Sequence, residues 1–132
     1  MSIHIHKETI DHLVKSLTDG GHKGHIRMGF LLGHKIMKAE GVVPEDESLI
    51  DGIFVPKQES TSHLTKITDA KSDIANLKKR YGDGVLGVIQ YNAGFGPYES
   101  ETTRKAREEF SESELPKLLI VVDSIGHLGI YQ

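Results

Sequence analysis

Apolar residues recur at helical spacing at Ile10, Leu13, Val14 and Leu17, which predicts an amphipathic helix over about residues 6–19. Gly20 and Gly21 are its stop signal. The compact apolar run IRMGFLLG, residues 26–33, predicts a strand continuing towards Met37. VVPEDESL, residues 42–49, carries turn and acidic residues and reads as a loop. LIDGIFVP, residues 49–56, predicts a second strand with Pro56 at its end or at an edge position. The polar stretch KQESTSHLTKITD, residues 57–69, reads as a loop or an irregular strand.

Ala70, Ile74, Leu77 and Tyr81 share one face of a second predicted helix, and Gly82 ends it. GVLGVIQ, residues 84–90, has almost no polar alternation, as expected of a central strand. Ser100 is a candidate N-cap for a helix over about 101–112, whose apolar stripe is only Ala106 and Phe110. KLLIVVD, residues 117–123, predicts another interior strand, and HLGIYQ is expected to pair with it across Ser124–Gly126. The order helix, strands, helix, strand, helix, strands predicts an α/β fold: a mixed sheet flanked by helices, with loops at the strand ends.

With 132 residues, no internal repeat and no linker, the whole of residues 1–132 is expected to form a single domain. Hydrophobic residues make up 37% and charged residues 27%, the balance of a soluble globular protein rather than a disordered one. A net charge of −3 gives no field favouring nucleic acid or an anionic membrane, so neither is expected as a partner. The absence of cysteine excludes disulfides, thiolate zinc sites and a cysteine nucleophile. The start MSIHIHKETIDHL has no apolar signal core, and no apolar run approaches membrane-spanning length; a cytoplasmic location is the expectation.

Candidate chemistry is sparse. The GFG of residues 94–96 follows a strand, as phosphate loops do, but its spacing matches neither the P-loop nor the dinucleotide fingerprint. A tight turn is the simpler reading. Among eight histidines, HIH at residues 4–6 reads as surface. HKGH at residues 22–25 brings two imidazoles together beside Ile26 across a glycine turn, a spacing that chance also produces. His63 falls in a polar segment, and His34 and His127 lie by strand ends.

Four segments in order then carry a resemblance: MGFLLG (28–33), IFVPKQESTS (53–62), LGVIQYNAGFGPYESETT (86–103) and LPKLLIVVDSIGHLGIY (115–131). Together they resemble the MPN/JAMM domain, the fold of zinc-dependent isopeptidases that remove ubiquitin and of their inactive relatives. The resemblance implies a mixed, mostly antiparallel sheet flanked by helices, in a cytidine-deaminase-like architecture. In active members two His and one Asp hold zinc, a Glu takes the proton from the metal-bound water, and a Ser stabilises the oxyanion. At the matching positions stand Gln90 and Asn92 for the imidazoles, Thr103 for the Asp and Ile26 for the Glu; only Ser100 is kept.

Neutral amides and a hydroxyl are outside the zinc ligand set, so no metal, no cofactor and no catalysis are expected. Ile26, Gln90, Asn92, Ser100 and Thr103 then form a vestigial pocket. Its polar members can cross-link one another, because buried amides and hydroxyls need partners. The implied function is a non-catalytic protein-interaction or scaffold module. Its partner is a second copy (a homodimer), an active MPN/JAMM paralogue (a heterodimer), or ubiquitin or a ubiquitin-like protein. Two alternatives stay open: a small-molecule or peptide pocket around Gln90, Asn92 and Ser100, and a cryptic metal-dependent isopeptidase using His63, Glu99 or Glu101.

Overall fold

The structure, a computed structural model, describes residues 2–22, 24–35, 47–61, 65–94, 104 and 118–131. The chain runs β1 (Ser2–His4), α1 (Lys7–Thr18), β2 (Arg27–Lys35), β3 (Glu47–Phe54), β4 (Gln58–Ser60), β5 (Thr65–Ile67), α2 (Ala70–Tyr81), β6 (Val85–Asn92), β7 (Leu118–Asp123) and β8 (Leu128–Tyr131). It is an α/β fold. Six strands form one sheet in the order β1-β3-β2-β6-β7-β8, and β4 pairs with β5 in a separate hairpin. The β1–β3 and β6–β7 neighbours are parallel, and the other three pairs of the large sheet are antiparallel.

Two cores lie on the two faces of this sheet. Leu13 and Leu17 of α1 pack with Leu31, Ile50, Leu86, Ile89, Tyr91, Ile120 and Val122. On the other face, Ile74 and Leu77 of α2 and Ile67 of the hairpin pack with Met28, Phe30, Val85, Val88, Leu119 and Val121. Leu17 is fully buried and Leu13 nearly so, each a contribution of about 2–3 kcal/mol to holding α1 on the sheet. Every residue of β6 and β7 is buried, which is why these two strands read as unbroken apolar runs.

The β2–β6 ladder slips by one residue. Leu31 faces Gly87 and Leu32 faces Val85, leaving Leu86 as an extra residue on β6. The backbone at Gly87 lies against β7: a Cβ there would sit 2.1 Å from the Leu118 carbonyl oxygen. Gly29 lies on the α1 face of β2, where a Cβ would fall 2.7 Å from Ile53 Cδ1 and 3.1 Å from Leu17 Cδ2.

The expected helix over 6–19, the strand over 84–90 and the closing hairpin are all present, within a residue or two. Other expectations need correction. Glu47 and Ser48, expected in a loop, begin β3, because β1 supplies ladder partners to both and β2 one to Ser48, overriding local turn preference. The segment 57–69, read as a loop or an irregular strand, contains two short strands, β4 and β5, paired as a hairpin. Tyr81, assigned to the buried face of α2, is 41% exposed; it closes the helix beneath the Arg80 guanidinium, 5.6 Å from its ring. Residues 42–46 and the expected helix over 101–112, Arg104 excepted, lie outside the described residues. No helix among the described residues is long and apolar enough to cross a membrane.

Candidate functional site

Gln90 and Asn92 occupy the last turn of pleat on β6, two residues apart and therefore on one face. The face is that of Val88 and Met28, towards α2 and the hairpin. Gln90 is flanked by Met28 on β2 and Val121 on β7, and it is fully buried. Asn92 lies beside Asp123 in the parallel β6–β7 register and is 9% exposed. The Gln90 side-chain N–H donates to Asn92 Oδ1, so the two amides are joined directly. Continuing the β2–β6 register by one residue sets half-buried Ile26 opposite Asn92, with its own N–H held by the Thr61 carbonyl at 2.8 Å. Three of the five pocket positions thus share one end of the sheet. Ser100 and Thr103 lie outside the described residues, as do His63, Glu99 and Glu101.

Next to this pair, a carboxylate has a structural task. Asp123 is almost fully buried at the end of β7; its Oδ1 accepts from the N–H groups of Ile125 (3.1 Å) and His127 (2.8 Å). Its Oδ2 lies 2.8 Å from His127 Nδ1. Asp123 therefore closes the β7–β8 turn and orients an exposed imidazole. Burial pushes the Tyr91 hydroxyl pKa up, and the nearby Asp123 carboxylate adds to the rise. On the α1 side, Asp11, Val14, Thr18, Tyr91 and Val122 line a cavity of about 320 Å³, and a larger one of about 530 Å³ lies against α2. Neither cavity is lined by Gln90 or Asn92.

A second polar assembly supports the site from the hairpin. The β2–β3 ladder ends at Phe30, so the Met28 peptide groups on that edge need other partners. Gln58 supplies both: its Oε1 accepts from Met28 N–H at 2.9 Å and its Nε2 donates to the Met28 carbonyl at 2.8 Å. The same Nε2 reaches the Pro56 carbonyl at 3.1 Å. Thr65, fully buried, donates to Gln58 Oε1 at 2.8 Å and so accepts from Ser60 at 3.1 Å. Ser60 in turn accepts from Arg27 Nη1, while Arg27 Nε donates to the Leu17 carbonyl at 2.9 Å. Burial pushes the Arg27 pKa down from its ordinary value.

No sequence signal marked the Gln58 clamp, because a single Gln in a polar run has no pattern. Asp123 was legible in principle: an Asp opening a short turn that contains Gly126 is a recognised turn former. His34 and His127, which the sequence places by strand ends, each approach a carboxylate at 2.8 Å, His34 that of Asp51 and His127 that of Asp123. Among the described residues there is no cluster of three or more His, Asp or Glu able to hold a metal. No protein-family model matches the chain, and no curated protein sequence matches it.

Proposed function

We propose that this chain is a non-catalytic MPN/JAMM-type domain that works as a protein-interaction module. One observation carries the reading: the two positions that the resemblance assigns to zinc-binding imidazoles hold amides that are buried and bonded to each other. Two bonded amides of this kind offer no basic nitrogen to a metal. The resemblance favours pairing with a second copy or an active paralogue, and a ubiquitin-like protein after these. Of the large apolar side chains exposed among the described residues, Ile125, Leu128, Ile130 and Tyr131 all fall on the β7–β8 hairpin, a concentration that suits protein contact.

Native mass spectrometry after zinc loading and exchange against a strong chelator tests both halves of the reading. Wild type is expected to retain no zinc and to show dimers or a co-purified partner. The variant Ile26→Glu, Gln90→His, Asn92→His, Thr103→Asp is expected to retain about one zinc. Chelator-resistant zinc in wild type, with cleavage of an isopeptide-linked substrate, overturns the non-catalytic reading. A strictly monomeric, partnerless wild type overturns the interaction reading.

A further inference from the structure

The turn between α1 and β2 holds two imidazoles nitrogen to nitrogen, within hydrogen-bonding distance. His22 Nδ1 and His25 Nδ1 are 3.2 Å apart, with ring centroids 5.4 Å apart and planes tilted by 50°. The backbone fixes this arrangement from both sides. Gly20 and Gly21, at φ of 74° and 88°, reverse the chain after α1, and His22 N–H bonds the Thr18 carbonyl at 3.1 Å. His25 N–H closes the turn onto the His22 carbonyl at 3.0 Å, and Ile26 N–H is pinned to Thr61 at 2.8 Å.

The separation of the two nitrogens is informative. Two imidazole nitrogens 3.2 Å apart, each about 2.0–2.1 Å from a common metal, subtend an angle of about 100–105° there, close to tetrahedral. A square-planar site with bonds of about 2.0 Å needs its adjacent nitrogens only about 2.8 Å apart. We propose that His22 and His25 form a two-histidine site for a zinc-class divalent metal ion, held through both Nδ1 atoms, with the remaining coordination positions left to water or to a donor from another molecule. The site does not rest on the reading of Gln90 and Asn92 and uses none of their atoms.

The surroundings agree with this and limit its strength. Burial foremost, then the Arg27 guanidinium and His25, lower the His22 pKa, which favours the unprotonated ring a metal requires. Arg27 is anchored on Leu17 and Ser60, so its charge stays near and opposes a cation. Two neutral ligands facing a fixed positive charge place the expected affinity in the micromolar range, which a strong chelator removes.

The test is a zinc titration of the full chain followed by imidazole-resolved nitrogen NMR, with magnesium as the hard-cation control. The Nδ1 signals of His22 and His25 are expected to shift together, saturating at one equivalent with a dissociation constant below about 100 µM. Magnesium is expected to shift neither. His25→Gln is expected to weaken binding at least about tenfold while leaving the metal-free melting temperature within a few degrees. Wild-type titration alone decides the matter if that variant does not fold. Zinc shifts confined to other histidines, or no saturation below about 1 mM, overturn the proposal.

Discussion

Replacing Gln58 with Ala removes the clamp that completes the β2 edge. Four polar groups then lose a partner: the N–H and carbonyl of fully buried Met28, the Pro56 carbonyl, and the hydroxyl of fully buried Thr65. Each orphaned group costs about 1–3 kcal/mol, and water entering the vacated volume recovers part of the sum. The expected loss is therefore about 2–4 kcal/mol, a large share of the 5–15 kcal/mol typical of a domain. Urea unfolding followed by circular dichroism measures it as a lowered midpoint at unchanged slope.

Gln58→Glu sharpens the test, since one carboxylate oxygen still accepts from Met28 while the other faces the Met28 and Pro56 carbonyls. Protonation restores the missing donor, so the folded-state pKa of the introduced carboxyl lies above the unfolded value of about 4.3. A raised pKa means that stability is present below the unfolded pKa and is lost as pH rises through the folded one. The variant is thus expected to approach wild type near pH 4 and to fall furthest behind it near pH 7. A loss below about 0.5 kcal/mol for Gln58→Ala, or a penalty for Gln58→Glu that is flat with pH, refutes the clamp.

Gly87→Ala drives a Cβ to 2.1 Å from the Leu118 carbonyl oxygen, and a loss above about 3 kcal/mol or failure to fold is expected in urea titrations. Tyr91 has a raised pKa, so its stability contribution is present below the unfolded value of about 10 and disappears as pH climbs past it. Tyr91→Phe should therefore flatten the decline of the unfolding midpoint between about pH 9.5 and 11. Asp69 accepts from Ser72 N–H at the start of α2, and Asp69→Ala is expected to cost about 1 kcal/mol. Asp69→Asn should cost far less, because it keeps the cap and removes the charge that, after burial, raises the Asp73 pKa.

The sequence exposes most where burial is total or periodicity is long. β6 and β7 lie between neighbours on both edges and under helices on both faces, so every position had to be apolar or internally bonded. α1 has a single buried stripe and shows it. The hairpin was hidden because its strands are three residues each and held by polar side chains, Gln58, Ser60 and Thr65, that look like loop residues. The start of β3 was hidden by Glu47 and Ser48, whose strand state depends on partners distant in sequence. At the site, a bond between Gln90 and Asn92 was expected from the resemblance that placed them in one pocket and from the need of buried amides for partners, whereas the Asp123 turn depended on β7 ending opposite Asn92.

The extra residue at Leu86 acts as a phase shifter. Upstream of it Val85 faces α2; downstream Val88, Gln90 and Asn92 keep that side and Ile89 and Tyr91 turn to α1. Without that slip, regular alternation from Val85 would exchange the two sets, presenting both amides to the α1 core and an isoleucine and a tyrosine to the α2 side. Deleting Leu86 itself would leave them in place, because Val85 and Val88 would then stand two positions apart on one face. The chemical character of the sheet's end is thereby fixed by a count of residues as firmly as by their identity. Deleting one residue between Gly87 and Gln90 is therefore expected to be harsher than most substitutions at Gln90 or Asn92 themselves, and deleting Leu86 milder.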